Sequence, residues 1–378
     1  MQFFVIFLIM GAFCCVLRRL EITLDTLKNL GWDESRLNEY DKQPDKNLSP
    51  ARVASAVSGR YRLLGMGEPI WAVARGKLSD PESHGVDWPA VGDWVLARRE
   101  GETVVVEQVL PRRSVFMRKA AGKTSHAQVI AANLDRVFIV TDVCADFNPR
   151  RIERYLTTVW DGGAEPVIVL NKIDLPHDRA AIQIELDAVA IGVTTLFVSA
   201  ESQKGLDDLF ALCGKGKTIA FVGSSGVGKS TIINRLIGQE KQKTAAIRNK
   251  DEKGRHTTTR QELIITSTSA MLIDTPGIRE LGLVEQGEGL ERAFADLLAY
   301  AQNCRFRDCK HESEPGCAVR EAIERGEIKP ERLDSYHRLQ RELEFNTWRG
   351  DQRGATANSK KRWKDLSKIV RDFNVNRR

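Results

Sequence analysis

GSSGVGKST, residues Gly223 to Thr231, follows the apolar run TIAFV and opens a stretch whose apolar residues recur at helical spacing. It fits G-x-x-x-x-G-K-[ST] in the strand-to-helix context that the pattern requires. In such a turn Gly223, Gly226 and Gly228 let backbone N–H groups wrap phosphate oxygens, with Ser224, Ser225 and Val227 completing the loop. Lys229 reaches the β and γ phosphates and Ser230 ligates Mg²⁺. Thr231 continues into a helix whose N-terminus adds its dipole. A phosphate loop between strand and helix implies an α/β domain with ligands at the carboxyl ends of its strands.

Four further segments converge on the same chemistry. DTPG, Asp274 to Gly277, ends a second apolar strand; Asp274 suits the metal's water shell and the Gly277 N–H suits the γ-phosphate. NKID, Asn171, Lys172, Ile173 and Asp174, ends a third. The Asp174 carboxylate can accept from both N1–H and the exocyclic amine of guanine, whereas adenine would leave it unpaired, a strong basis for rejection. Ser199 and Ala200 close a fourth strand and offer backbone N–H to the guanine oxygen. The segment from Gly254 to Arg260, with Thr258 and Thr259, reads as a switch loop carrying a metal-binding Thr. Each short motif alone reads as a surface turn; jointly they describe one GTP site with Mg²⁺ on Ser230, Thr258 and Asp274.

Their order is unusual. NKID and Ser199-Ala200 precede the phosphate loop, so the domain reads as circularly permuted, a rearrangement that surface termini tolerate. RVFIVTDV, PVIVLN, TLFVSA, TIAFVG, ELIITST and AMLIDT are its expected strands, with helices between them. Upstream, short strand-like runs after Pro50 punctuated by glycines suggest a small β-barrel. Arg60, Tyr61, Arg62, Trp71, Arg75 and Lys77 interleave aromatics with positive charge, as a nucleic-acid-binding barrel would; ordinary solvated residues are the alternative. Residues 22 to 33 suggest a short helix closed near Gly31, 34 to 47 a flexible arm or linker, and 112 to 123 a basic connector. From about Gly287 the pattern turns helical around Cys304-x4-Cys309-x-His311-x5-Cys317. Three thiolates and an imidazole suit tetrahedral Zn²⁺ and leave no open position, so the site reads as structural.

The 378 residues, 42% apolar and 29% charged, exclude a mostly disordered chain and a polytopic membrane protein. The net charge of +6 permits a polyanionic partner; residues 351 to 378, with nine Lys/Arg against three Asp/Glu, carry that excess. Cysteine spacing argues against a disulfide framework and for a reducing compartment. Residues 3 to 17 are almost wholly apolar. They read as a membrane anchor or signal, a packed terminal helix, or a start placed too far upstream; the cytoplasmic character of the remainder favours the last.

On these permuted motifs together with the Cys/His cluster, residues 22 to 345 resemble the ribosome small subunit-dependent GTPase A family. The resemblance implies an N-terminal OB-fold, a permuted three-layer GTPase domain and a helical zinc-binding domain. The expected boundaries are 1–49 for an extension and linker, 50–112, 113–285 and 286–350 for the three domains, and 351–378 for a basic tail. It further implies GTP hydrolysis to GDP and phosphate, stimulated by the 30S subunit, with 16S rRNA as a partner, in late small-subunit maturation. DNA is not an expected partner, a monomer is the default, and the cytoplasm is the expected location. The apolar segment at 1–17 departs from the family pattern.

Ile278 stands where a Ras-like enzyme carries a water-positioning Gln, so slow unassisted turnover is expected. His256 is the first candidate for orienting water, with Lys229 and Gly277 as the other catalytic groups. A structural loop role for His256, or a contribution from Arg255, Arg260 or an rRNA group, is the competing reading. An rRNA-binding assembly module in which GTP is mainly a structural effector is the alternative to the hydrolase.

Overall fold

The five runs after Leu48 become β1 (Ser49–Val57), β2 (Arg60–Leu64), β3 (Ile70–Ala74), β4 (Trp94–Glu100) and β5 (Thr103–Val109). The structure is a computed structural model that describes residues 24–78, 88–119, 127–238, 262–274 and 288–345. β1 pairs antiparallel with β2, β2 with β3 and β5 with β4, while β3 and β5 run parallel. β4 then returns to β1, closing a five-stranded barrel of OB type. Alternation puts Leu63, Ala72, Val104 and Val106 inside. A register shift between Val53 and Ser55 lets β1 leave the barrel and pair at Ser55 with Glu262 of the next sheet.

The stretch expected to be a flexible arm is instead structured. The short helix expected over 22–33 is present as α1 (Leu24–Asn29), whereas the arm expected over 34–47 begins as α2 (Glu34–Asp41), capped by Asp33, whose carboxylate accepts from the Arg36 N–H at 3.0 Å. The buried residues over 24–41 are Leu27, Leu30, Trp32, Arg36 and Tyr40. Trp32 meets Trp94 edge-on at 4.8 Å between ring centroids, and the Tyr40 hydroxyl donates to the Leu48 carbonyl at 2.9 Å. Arg36 donates to the Pro111 carbonyl and to Asn133 Oδ1, each at 2.6 Å. The expected basic connector is likewise ordered where described: β6 (Val115–Lys119) pairs with β7 (Ala127–Ala132).

The second sheet contains β8 (Arg136–Asp142), β9 (Glu165–Asn171), β10 (Thr194–Phe197), β11 (Thr218–Val222), β12 (Glu262–Ile265) and β13 (Met271–Asp274). Its order is β10-β9-β8-β11-β13-β12, parallel except for β12. Helices α3 (Pro149–Asp161), α4 (Arg179–Asp187), α5 (Leu206–Cys213) and α6 (Lys229–Ile237) complete the domain. The central strands are apolar on both faces. Ile139, Ile168, Leu170 and Val222 share a core with Leu156 and Leu186, while Phe138, Val140, Val169 and Phe221 share another with Leu209 and Ile232. Three layers result. From β8 the chain winds outward through β9 to β10, whereas from β11 it winds the other way to β12 and β13. The topological switch point therefore lies between β8 and β11.

This barrel-plus-sheet unit is one of two compact units, and the main described part of the second is 288–345. The second holds α7 (Glu288–Ala293), α8 (Ala295–Ala301), α9 (Ala318–Glu324) and a helical stretch over 330–345. Arg332 is buried there, donating to the Ala293 carbonyl at 2.6 Å and to Asp296 at 2.8 Å, with its guanidinium over the Phe294 ring. Among the described residues no helix is long and apolar enough to cross a membrane. The apolar run at 3–17 and the basic tail lie outside them.

If α2 belongs to the folded core, Arg36→Met should cost about 3 kcal/mol by leaving Glu39 and Asn133 with broken bonds. Urea unfolding measures this directly, and an unchanged midpoint would return 34–47 to a linker.

Candidate functional site

The phosphate loop leaves β11 at the switch point. Gly223 has φ +136°, and a Cβ there would lie 2.0 Å from the Val140 carbonyl oxygen of β8. Gly228 has φ +96°, and its Cβ would lie 2.1 Å from Asn171 Nδ2. Those two close approaches are why no other residue serves at either position. Lys229 begins α6, is buried, and donates to the Gly223 carbonyl at 2.8 Å and to that of Ser224. Its ammonium is thus folded over the loop that it would share with phosphate oxygens.

Asn171 links three of the sequence motifs. Its Nδ2 donates to the Val227 carbonyl at 2.8 Å, and its Oδ1 accepts from the Ala200 N–H at 2.9 Å. The amide is only 2% exposed, so each of these bonds satisfies a group shielded from water. Ser199, fully buried, donates its hydroxyl to Asp174 Oδ1 and accepts from the Ser202 N–H at 3.0 Å. The Ser199 bond is the first cause holding the exposed Asp174 carboxyl below its usual range, so it stays an acceptor. Ile173 donates its N–H to the Val198 carbonyl at 3.2 Å. Ser225, Gly226 and Ser230 are exposed and Thr231 half-buried at the start of α6.

Two features escaped the sequence reading. Lys172, with φ +66°, aims its ammonium at Asp142 at 2.8 Å. Burial pushes the Asp142 carboxyl up, but Lys172 and the N–H groups of Asp146 and Cys144 outweigh it and hold the carboxyl below its usual range. Asp142 ends β8, so the carboxyl-end rule was the signal that could have found it. Arg151 of α3 bonds both Asp146 and the Ser224 hydroxyl of the phosphate loop; no short motif marks it.

Asp274 ends β13, which neighbours β11, so it shares the same sheet edge as the loop. Ser230 and Asp274 therefore supply hard oxygen donors at one end of the sheet, the set that Mg²⁺ takes. His256, Thr258, Thr259, Gly277, Ile278, Arg255 and Arg260 lie outside the described residues. In the barrel, Arg60 and Trp71 are exposed, the latter by half, while Tyr61 is a core residue. Arg62 faces Glu262 at 3.4 Å and Arg75 pairs with Glu107.

In the second unit, the ligand atoms of Cys304, Cys309, His311 and Cys317 all lie within 4.8 Å of one another. His311 Nδ1 is 3.6 Å from Cys304 Sγ and 3.4 Å from Cys317 Sγ, and the two sulfurs are 4.0 Å apart. Tetrahedral Zn²⁺ with its usual bond lengths needs ligand separations of roughly 3.3–3.8 Å, so the two His311 distances match, and the sulfurs would draw in by a few tenths of an ångström or more to close on the ion. Burial pushes the His311 pKa down, which keeps its lone pair available. The described cysteines are all free thiols.

Residues 109–284 match the family model for the RsgA GTPase. The small ribosomal subunit biogenesis GTPase RsgA of Methanosarcina acetivorans is 47% identical over 323 residues, covering 85% of this chain and 87% of its own length. A second relative, RsgA 2 of Lactiplantibacillus plantarum, is 49% identical over 309 residues, covering 80% and 87%. Among solved structures, YloQ, a circularly permuted GTPase, superposes with a TM-score of 0.58 at 27% identity, covering 80% of this chain and 98% of that one. YjeQ from Thermotoga maritima gives 0.57 at 26%, covering 78% and 98%.

Asn171→Ala would strand the Val227 carbonyl and the Ala200 N–H. A stability loss of about 2–4 kcal/mol is expected, read as a lower urea midpoint at unchanged slope.

Proposed function

This chain belongs to the RsgA GTPase family, and from that premise we propose how its site works as a GTP switch on the small ribosomal subunit. The protein is a GTP hydrolase of small-subunit biogenesis. The observation that carries the reading is the Asn171 amide, which ties the phosphate loop at Val227 to the base-side motif at Ala200.

Asn171, Lys172, Ile173, Asp174, Ser199 and Ala200 take the guanine, and Gly223 to Thr231 take the phosphates. Asp174, kept ionised by Ser199, accepts from guanine's two donors. Ser230, Asp274 and Thr258 would hold Mg²⁺, which neutralises phosphate charge when bound. Cys304, Cys309, His311 and Cys317 hold one structural Zn²⁺ that fixes the loop between α8 and α9. Residues 50–112 form the RNA-binding barrel, 113–285 the GTPase domain, 286–350 the zinc domain and 351–378 a basic tail. Arg60 and Trp71 supply exposed charge and a stacking face for 16S rRNA. The protein acts as a monomer in the cytoplasm. Ile278 can orient no water, so the 30S subunit accelerates turnover by ordering the 254–260 loop and placing His256 near the attacking water.

GTP turnover measured with purified 30S, 50S and 70S particles tests this. Strong acceleration by 30S alone is expected, and His256→Ala should lose most of it while still binding 30S; equal acceleration by 50S would overturn the switch. For the metal, protein purified without chelator should carry close to one Zn²⁺ per chain. Cys309→Ser should release it and leave nucleotide binding intact, and metal analysis finding no zinc in the parent protein would refute the assignment.

A further inference from the structure

A cavity of about 220 Å³ lies where α1, the barrel and the β11 sheet meet, at the end of β11 away from the phosphate loop. Its wall is strongly cationic. Arg113 is neutralised by Asp33 at 2.5 Å, Lys217 by Asp135 at 3.0 Å, and Arg36 by Glu39 at 2.6 Å. Arg52, Lys28 and Lys215 line the same cavity, with no carboxylate in ion-pair distance among the described residues. Arg52 is the decisive one, being 2% exposed. Its guanidinium donates to the Leu30 carbonyl at 2.9 Å, to the Thr218 hydroxyl at 2.8 Å and, more weakly, to the Asn133 carbonyl at 3.4 Å. All are neutral acceptors, and the Trp94 ring 5.0 Å away adds only a cation–π contact. Asp135 and Asp93 favour the Arg52 charge only from beyond ion-pair distance, and a buried charge without a directly paired counter-ion is costly. The burial pulls the Arg52 pKa down to about 9.

Two residues that line the cavity carry a buried side-chain N–H with no hydrogen-bond partner among the described residues: Arg52 at Nε, and Trp32, itself 3% exposed, at its indole nitrogen. Orphaned buried N–H groups are rare, and two on residues of one net-cationic cavity share one remedy. We propose that the cavity is a second anion site, which takes a phosphate group between Arg52 and Trp32. Phosphate supplies the missing charge and several acceptor oxygens at once. The volume is below the 300–1,000 Å³ or so of ordinary ligand pockets, which suits a free inorganic phosphate or a terminal phosphomonoester rather than a whole nucleotide. Thr218, which receives the Arg52 bond, begins β11, the strand whose other end carries Gly223. With about 3.3 Å of rise per residue the two sites are separated by roughly 15 Å, so they are distinct.

The test uses the full chain saturated with Mg-GDP, which occupies the phosphate loop, titrated with inorganic phosphate and followed by calorimetry and thermal unfolding. Saturable binding with a raised Tm is expected. Trp32→Phe and Lys215→Ala, which preserve the packing, should each weaken phosphate binding at least several-fold, and Arg52→Gln should abolish it. A 5′-phosphorylated RNA oligonucleotide that displaces phosphate, where its 5′-hydroxyl counterpart does not, would assign the group to an RNA end; no displacement by either would assign it to the free ion. Absence of phosphate binding to the GDP-saturated protein would overturn the proposal. So would binding that Trp32→Phe and Lys215→Ala leave unchanged, or that equal concentrations of chloride remove. GTP turnover enters none of these readouts, so the result stands apart from the nucleotide assignment.

Discussion

The side-chain amide of Asn171 is the point on which the nucleotide site depends. In one planar group it donates to the phosphate loop at Val227 and accepts from Ala200 on the segment after β10. Gly228 has no side chain because a Cβ would collide with that same amide. Three segments far apart in the chain are therefore held within hydrogen-bond tolerance of one another. A site assembled from strand ends needs such a brace, because each strand fixes its own end but not its neighbour's loop.

Circular permutation makes that brace more informative. The order of strands in space, β10-β9-β8-β11-β13-β12, is set by which faces bury apolar residues, not by which segment is made first. Cutting and rejoining the chain at surface loops leaves those burial relations intact. β12, the antiparallel edge, meets β1 at Ser55, so the barrel covers an edge that would otherwise present unpaired backbone groups.

Legibility from sequence followed the range of the interactions. The phosphate loop, NKID, the six strands and the Cys/His cluster are local patterns in which spacing alone encodes geometry, and each was readable. α2 was not, because its buried side chains are an arginine and a tyrosine. Arg36 is inside because Asn133 and the Pro111 carbonyl, 97 and 75 positions away, accept from its guanidinium. β6 was hidden by the charges around it, although Phe116 is buried. The Lys172–Asp142 pair and the contact of Arg151 with Ser224 join positions 30 and 73 apart, and no window of sequence contains either.

The seam between barrel and sheet is built from directed bonds rather than apolar contact alone. Asn133 Oδ1 accepts from Arg36 at 2.6 Å and from the Arg113 N–H at 3.0 Å, while its Nδ2 donates to the Gly92 carbonyl at 3.1 Å. Arg52 crosses from β1 to Thr218 at the start of β11. An apolar seam of similar area would tolerate sliding, whereas hydrogen bonds weaken steeply once their angles are lost. β11 is therefore gripped from the barrel at Thr218, and its other end, Gly223, is pressed against the Val140 carbonyl of β8. A strand held at both ends behaves as a rigid strut. A load applied to the barrel by a bound partner has a short covalent route, five residues long, to the phosphate loop.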